Sequence, residues 1–348
     1  MALFKSQRKQ RSFFDTQIYD RLIPKDHLLV RLNRVLDWSF IEQATRDFYQ
    51  RTGRRACSPV VLFKMLLLAY LFDISERRIE DECNYNMLYK YFLGLEADEK
   101  APDHSTLSRF RDRLGLEGFQ TIFNRIVALA RQQGVVSDRL RIVDSTHTLA
   151  NVDILRASSR AEEAKPSLTG QDDDPPDDNT ILPGSPDPDA RFGRKSKQKK
   201  FYGYKQHLGV DADSDFITHV ATSGGNISDH DYLEAMATGP PPQGVTADKL
   251  YDSRHHHERL QRQGITSYII RKRTSPIPRD SEYQRAIQLR KRIERVFAVM
   301  KKYHSGGRAR YWGQLKVGIQ HVLVATVYDL KLLAHHLTRP PGIVSLKP

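Results

Sequence analysis

"LRIVDSTHTLANVD", residues 140–153, decides how the second half of this chain is read. An apolar stretch around Ile142 and Val143 delivers Asp144 into a run of small polar residues. That pattern reads as a buried strand ending on a carboxylate. The question it raises is which other acids meet Asp144, and what they hold.

Working outward, the region beyond residue 139 alternates strands and helices. "FYGYKQHLGVDADSDFITHVATSG" reads as two adjacent strands joined by a turn at Asp211-Ala212-Asp213-Ser214. "SDHDYLEAMAT" is a helix capped by Ser228 or Asp229, and "GVTADKLYDS" is a short strand ending on Asp248. "SRHHHERLQRQG" is a helix closed by Gly264, and "ITSYIIRKR" a further strand. A long helix, "DSEYQRAIQLRKRIERVFAVMKKYH", and a closing one, "LKVGIQHVLVATVYDLKLLAHHL", complete the pattern. This is an α/β domain over 136–340, with helices covering a mixed sheet. Within it, the acidic, Pro-rich composition at about 158–190 cannot bury enough apolar surface to fold alone, so it reads as a disordered loop. A basic block follows, with Lys195, Lys197, Lys199 and Lys200. The acidic loop can shield this block until DNA binds; a deletion of 170–185 that left DNA affinity and its salt dependence unchanged would exclude that.

Residues 1–135 read as helices alone. Ser58-Pro59 opens a helix of all-round apolar character, which marks it as buried, and Gly94 stops a later one. In "PDHSTLSRFRDRLG" (102–115), Ser105 or Thr106 can cap a helix whose Leu107, Phe110 and Leu114 share a face. Arg109, Arg111 and Arg113 lie mostly off that face. Two readings fit them, a solvated surface helix and the helix of a DNA-binding unit.

Of the 348 residues, 39% are hydrophobic, enough for a packed core, and the net charge of +13 favours a polyanionic partner. Cys57 and Cys83 have neither metal-ligand spacing nor a disulfide framework, so they read as core thiols. The basic N-terminus lacks the apolar core of a secretory signal. The apolar run 60–72 is interrupted by Lys64 and too short for a bilayer. These features fit a cytoplasmic protein without a membrane partner.

Two strands ending on Asp144 and Asp248 can bring both carboxylates to one rim of the sheet, where ligands of open α/β sheets sit. The third acid is Glu294. Three residues separate Arg290 from Glu294 and six separate Glu294 from Lys301. On one continuous helix these three fall within roughly 40° of one another. Ile293, Val296, Phe297 and Met300 form the neighbouring apolar stripe. Three converging carboxylates repel one another, and a hard divalent ion such as Mg²⁺ relieves that repulsion. Two such ions about 3.5–4 Å apart suit phosphodiester chemistry. Arg290 and Lys301 would hold DNA phosphates beside them. Asp252, Asp153 and Asp211 are rival acids near strands. The run His255-His256-His257 reads as a solvated helix start, because helix neighbours do not share a face. Tyr311 and Trp312 could stack on a base or pack in the core, and Arg308 and Arg310 suit phosphate contacts.

The chain resembles bacterial insertion-sequence transposases of the DDE class, in the large family numbered five and its eleven-eighty-two branch. "SPVVLFKMLLLAYLF" and "PDHSTLSRFRDRL" are similar to that family's helical InsH N-terminal domain. "DPDARFGRKSKQKKFYGYKQHLGVD", "TADKLYDS" and "RIERVFAVMKKYHSGGRARYWG" are similar to its DDE domain. The resemblance implies a ribonuclease H-like catalytic domain behind a helical DNA-binding domain. Its Asp, Asp, Glu metal triad falls on Asp144, Asp248 and Glu294. Arg290, Glu294 and Lys301 match the family's helix signature, with Ile287 in place of its tyrosine. Leu250 stands where glycine is frequent, and Asp329 where asparagine is usual.

What the resemblance implies is binding of the element's terminal inverted repeats, Mg²⁺-dependent end cleavage (Mn²⁺ substituting) and strand transfer to target DNA. It also implies dimers or larger assemblies, in a bacterial cytoplasm at the nucleoid. Two other readings stay open: a decayed or domesticated relic that only binds DNA, and a junction-cleaving metal-dependent nuclease.

Overall fold

The computed structural model describes residues 4, 12–49, 55–157, 182–196, 199–272 and 280–338. Most of the expected acidic loop, 158–181, lies outside the described residues. The chain divides into two units, Met1–Val135 with Thr326–Pro348, and Val136–Ala325.

The first unit is helical: α1 (Phe13–Leu22), α2 (Leu28–Val35), α3 (Ser39–Thr45), α4 (Pro59–Leu71), α5 (Glu76–Tyr85), α6 (Met87–Leu93) and α7 (His104–Gln132). α4 starts on Pro59, whose fixed φ suits a first turn, and is buried at every position from Pro59 to Tyr70, Lys64 included. α6 ends on Gly94 in the left-handed conformation (φ 78°), as its position after the apolar run predicts. Cys83 is buried, and burial pushes its thiol up to about 12; Cys57 is half-buried. The cap of α7 is neither Ser105 nor Thr106. Asp103 takes that place, its carboxylate accepting from Thr106 N at 2.8 Å, where it also complements the positive end of the helix. Leu107, Phe110 and Leu114 are buried as their spacing requires. Gly115 (φ 56°, ψ −170°) then breaks the helical dihedrals, so α7 is kinked there.

The second unit is built on a sheet of β1 (Leu140–Leu149), β2 (Arg191–Ser196), β3 (Lys199–Asp211), β4 (Ile217–Gly224), β5 (Gly244–Ala247) and β6 (Thr266–Ser267). The order is β2-β3-β1-β5-β6, with β4 also paired to β3. β4, β3 and β1 are antiparallel neighbours, whereas β1, β5 and β6 are parallel. That mixed arrangement is the ribonuclease H-like fold, with β2 added at the edge of β3.

The helices of this unit are a short α8 (Leu233–Met236) after a 3-10 turn (Asp229–Tyr232), α9 (Arg254–Arg262), α10 (Ser281–Arg290) and α11 (Arg292–Tyr303), followed by α12 (Gln314–Leu337), which runs on into the first unit. The face of β1 and β5 bearing Val143, Val245 and Ala247 packs on Leu233, Met236, Tyr251 and Leu260. On the opposite face, Thr148 Oγ1 meets His321 Nε2 of α12 at 3.0 Å, and His321 Nδ1 meets Thr222 Oγ1 at 2.7 Å. Burial holds His321 far below its ordinary value, at about 3, so it is a neutral element of the core.

Three expectations change. β1 does not end at Asp144 but continues to Leu149, because it keeps pairing with β3 as far as Gly203. Only β5 ends beside it. The expected long helix is broken at Lys291, which leaves Arg290 on α10 and Glu294 on α11. The expected strand "ITSYIIRKR" shrinks to Thr266–Ser267. α12 is, among the described residues, the one helix long and apolar enough to cross a membrane, and 89% of its apolar window is buried inside the protein.

Candidate active site

The parallel register of β1 and β5 creates the site. Val143 lies opposite Ala247, so Asp144 and Asp248 occupy the next position on adjacent strands. Strands in a sheet are about 4.8 Å apart, and side chains alternate along each strand. The two carboxylates therefore start from neighbouring points at one edge. β5 stops there, and Asp248 becomes the cap of the 3-10 turn Lys249–Tyr251, its Oδ1 accepting from Lys249 N at 2.6 Å.

Asp144 holds one oxygen on its own neighbour, with Ser145 N donating to Oδ1 at 2.8 Å. Its other oxygen meets Arg290 Nη1 at 3.1 Å. Burial nevertheless raises its carboxyl to about 6; Ser145 N–H and Arg290 oppose the rise, and the charges of Asp248 and Asp229 add to it. Burial also holds the hydroxyl of Tyr251 well above its ordinary value, helped by Asp229, Asp144 and Asp248. The site thus has more negative charge than its single arginine balances. Arg290 Nε is itself buried and lacks a hydrogen-bond acceptor. Two acids short of cation and one buried donor short of an acceptor suit a divalent ion and an anionic group together.

Glu294 is exposed in the first turn of α11, after the break at Lys291. Its neighbours Arg292 and Arg295 pair with the buried Asp215, Arg292 Nε at 2.7 Å from Oδ1, which pins the start of that helix. Ile293, Val296, Phe297 and Met300 are buried, as the apolar stripe requires. Among the described residues, no group of three His, Cys, Asp or Glu side chains converges closely enough to hold a metal ion. The structure thus brings together Asp144, Asp248 and Arg290, and leaves Glu294 at the surface.

The rival acids have other partners. Asp252 receives His257 Nε2 at 2.7 Å and Lys272 N at 2.7 Å. Asp211 accepts from Ser214 N within its turn and from Ser137 N and Asp138 N just ahead of β1. Asp153 accepts from Arg156 N at 3.2 Å. The three histidines diverge as helix geometry demands: His255 to Glu234, His256 to Tyr251 O and His257 to Asp252.

Of the expected DNA contacts, Arg111 is a correction. Its side chain is buried, with Nη1 at 2.5 and 2.6 Å from the two oxygens of Glu76, and so it faces inward. Arg109 is exposed and bonds Ser105 Oγ, and exposed Arg113 lies 4.5 Å over the ring of Tyr49. Lys200 and Arg308 are exposed, while Lys301 and Arg310 are half-buried, Arg310 holding Ser305 Oγ at 2.7 Å. Lys197 and the side chains of Lys195 and Lys199 lie outside the described residues. Trp312 is 52% exposed, its Nε1 donating to Asn151 O at 3.0 Å.

Sequence reasoning read Asp229 only as a helix cap and gave Tyr251 no reading at all. It also missed Asp187 and Asp189, which lie just before β2. Asp189 Oδ2 accepts from Gln314 N at the start of α12, and buried Asp187 accepts from Tyr204 Oη. The available signal for Asp229 was an acidic "SDHD" directly after a strand.

Comparison with known families places a model described as "Transposase domain" on residues 17–113 and one described as "Transposase DDE domain" on residues 138–330, more than half of the chain. A cryo-EM structure of a piggyBac transposase synaptic complex with hairpin DNA aligns over 95% of this chain and 77% of its own, at 10% identity and a TM-score of 0.38. A likeness that distant adds nothing to the site.

Proposed function

Since the chain belongs to the Transposase DDE domain family and is a DNA-binding DDE transposase whose chemistry depends on divalent metal, we propose that Asp144, Asp248 and Glu294 are its metal-holding acids. The ions are Mg²⁺, two per site, with Mn²⁺ able to substitute. The observation that carries this reading is the register Val143↔Ala247, which sets Asp144 and Asp248 side by side. Held by these acids, such ions would supply activation of the attacking oxygen and stabilisation of the leaving one in phosphodiester displacement.

The chain's own residues do the rest. The rigid sheet edge fixes Asp144 and Asp248 relative to each other. Arg290, with its unengaged Nε–H, clamps a phosphate beside them. Glu294 would complete the set from the start of α11. The exposed Arg109, Arg113, Lys200 and Arg308, with Lys195, Lys197 and Lys199, provide phosphate contacts along the DNA. The substrates are the terminal inverted repeats of the element and a target DNA, and the active assembly is at least a dimer, since two ends must meet. It works in the bacterial cytoplasm, at the nucleoid. The assignment to the eleven-eighty-two branch rests on the quoted motifs.

The test is an in vitro cleavage and strand-transfer assay on the element's own ends with Mg²⁺ or Mn²⁺. Wild type is expected to cut and join. Asp144→Ala and Glu294→Gln are each expected to lose activity by about a thousand-fold or more. Specific binding without cleavage under either metal would instead identify a DNA-binding relic.

A further inference from the structure

We propose that Asp252 is a positioning residue for Asp248: it ties the turn that follows Asp248 to the neighbouring chain and so fixes where that carboxylate stands. The inference rests on the reading of Asp144 and Asp248 as metal-holding acids.

Asp248 stands where β5 leaves the sheet, and the 3-10 turn Lys249–Tyr251 follows at once. A turn at a sheet edge is held in place only if both of its ends are tied. The chain after β6 ties the first end. It keeps bonding to β5 beyond Ser267, with Tyr268 N donating to Val245 O at 2.8 Å and Ile270 N to Ala247 O at 3.0 Å. Asp252 ties the second end to the same chain. Its Oδ2 accepts from Lys272 N at 2.7 Å, and its backbone O accepts from Lys272 Nζ at 3.1 Å. The backbone N–H groups of Ile270 and Lys272 therefore bracket the stretch from Ala247 to Asp252, and Asp248 lies inside that bracket.

The bracket is nearly buried, and it is charged. Asp252 Oδ1 meets His257 Nε2 at 2.7 Å, and His257 Nδ1 meets Ser267 Oγ at 2.8 Å. Arg271 Nη1 lies 3.6 Å from the same Asp252 oxygen. The side chains of Arg271 and Asp252 are only 5% and 10% exposed, so each depends on the other's charge. Asp252 is turned toward His257, Arg271 and Lys272, and its action on the site runs through the turn. The same segment reaches the other arm of the site. Arg271 N donates to Tyr283 Oη at 2.8 Å. Buried Tyr283 belongs to α10, which packs on β5 and β1 and ends on Arg290, the partner of Asp144. Residues 270–272 thus hold the Asp248 turn and the helix of Arg290 in one fixed relation.

Groups that hold a metal ion must be kept within about 0.5 Å of their productive places. A purely structural Asp252 would lower stability and leave the metal affinity of the folded protein unchanged, whereas a positioning Asp252 changes that affinity. The experiment titrates Mn²⁺ into the full chain without DNA and follows the free-ion signal by electron paramagnetic resonance. Thermal melting of each variant is recorded alongside, and titrations run well below every melting point, so that folded protein is read. Asp252→Asn is expected to weaken Mn²⁺ binding about ten-fold. Tyr283→Phe is expected to weaken it in the same direction by less. That variant removes no charge, so its effect cannot come from a charge lost near the ion, and it decides alone if Asp252→Asn fails to fold. Asp248→Asn, measured alongside, is expected to weaken binding far more than either.

The role of Asp252 is overturned if Asp252→Asn and Tyr283→Phe bind Mn²⁺ as wild type does while Asp248→Asn weakens binding; the metal site itself then stands. It is also overturned if Asp252→Asn weakens binding and Tyr283→Phe does not, because charge alone then accounts for the loss. Unchanged binding in Asp248→Asn would overturn the metal site and this inference together.

Discussion

Lys64 and Asp144 are both charged groups set into apolar surroundings, one in the helical unit and one in the sheet unit, and the fold treats them in opposite ways. Lys64 is 4% exposed in α4. Its ammonium donates to Asn33 Oδ1 and Phe92 O, each at 2.9 Å, and lies 4.7 and 4.9 Å over the rings of Trp38 and Phe92. Its charge is answered by nearby oxygen atoms and ring faces. Asp144 is raised chiefly by its own burial, against the pull of Ser145 N–H and Arg290 and with a smaller push from two further acids. The lysine is surrounded by what stabilises its charge, whereas the buried aspartate is left short of it.

That contrast can be broken experimentally. The largest stability effect belongs to the internal pair of the helical unit. Arg111→Ala strands Glu76 and is expected to destabilise by about 3–5 kcal/mol in chemical denaturation. A loss near zero would mean that Arg111 is a surface residue after all.

Asp144→Asn is expected to act in the other direction. Its raised carboxyl, about 6, keeps its proton in the folded protein at pH values where the unfolded chain has lost it. Folding stability contributed by this group therefore falls as pH rises from its ordinary value through about 6, and the deficit is complete above that. At pH 8 without metal, Asp144→Asn should gain about 3 kcal/mol, and at pH 4 nearly nothing. Added Mg²⁺ should stabilise the wild type and not the variant. A gain independent of pH would separate the effect from the titration.

Lys64→Met keeps the packing and abandons two carbonyl acceptors, at a cost of about 1–3 kcal/mol read by thermal melting. The smallest stability effects, within about 0.5 kcal/mol, are expected for Arg109→Ala and Arg113→Ala. Each should instead reduce the salt dependence of DNA binding by about one unit of slope, if their outward guanidinium groups hold phosphates. An unchanged slope would return both arginines to plain surface.

Much of this was legible beforehand. The all-round apolar run of α4 implied its burial, and Gly94 and Gly264 stop their helices with positive φ, as their positions suggest. The face of Leu107, Phe110 and Leu114 follows directly from helical periodicity. Asp144 and Asp248 could be paired on paper because each follows a short apolar run. Arg111 was misread because the same periodicity cannot reveal that Glu76 waits on another helix. The break at Lys291 was invisible because no proline or glycine marks it.

Local rules thus determined what local forces control: helix periods, glycine stops and the apolar faces that seek a core. Tertiary structure alone decided the register Val143↔Ala247, the continuation of β1 beyond Asp144 and the approach of Lys205 to Asp229. These depend on pairings between residues far apart in the chain. Their free energy comes from hydrogen bonds and charges that exist only once both partners are buried together.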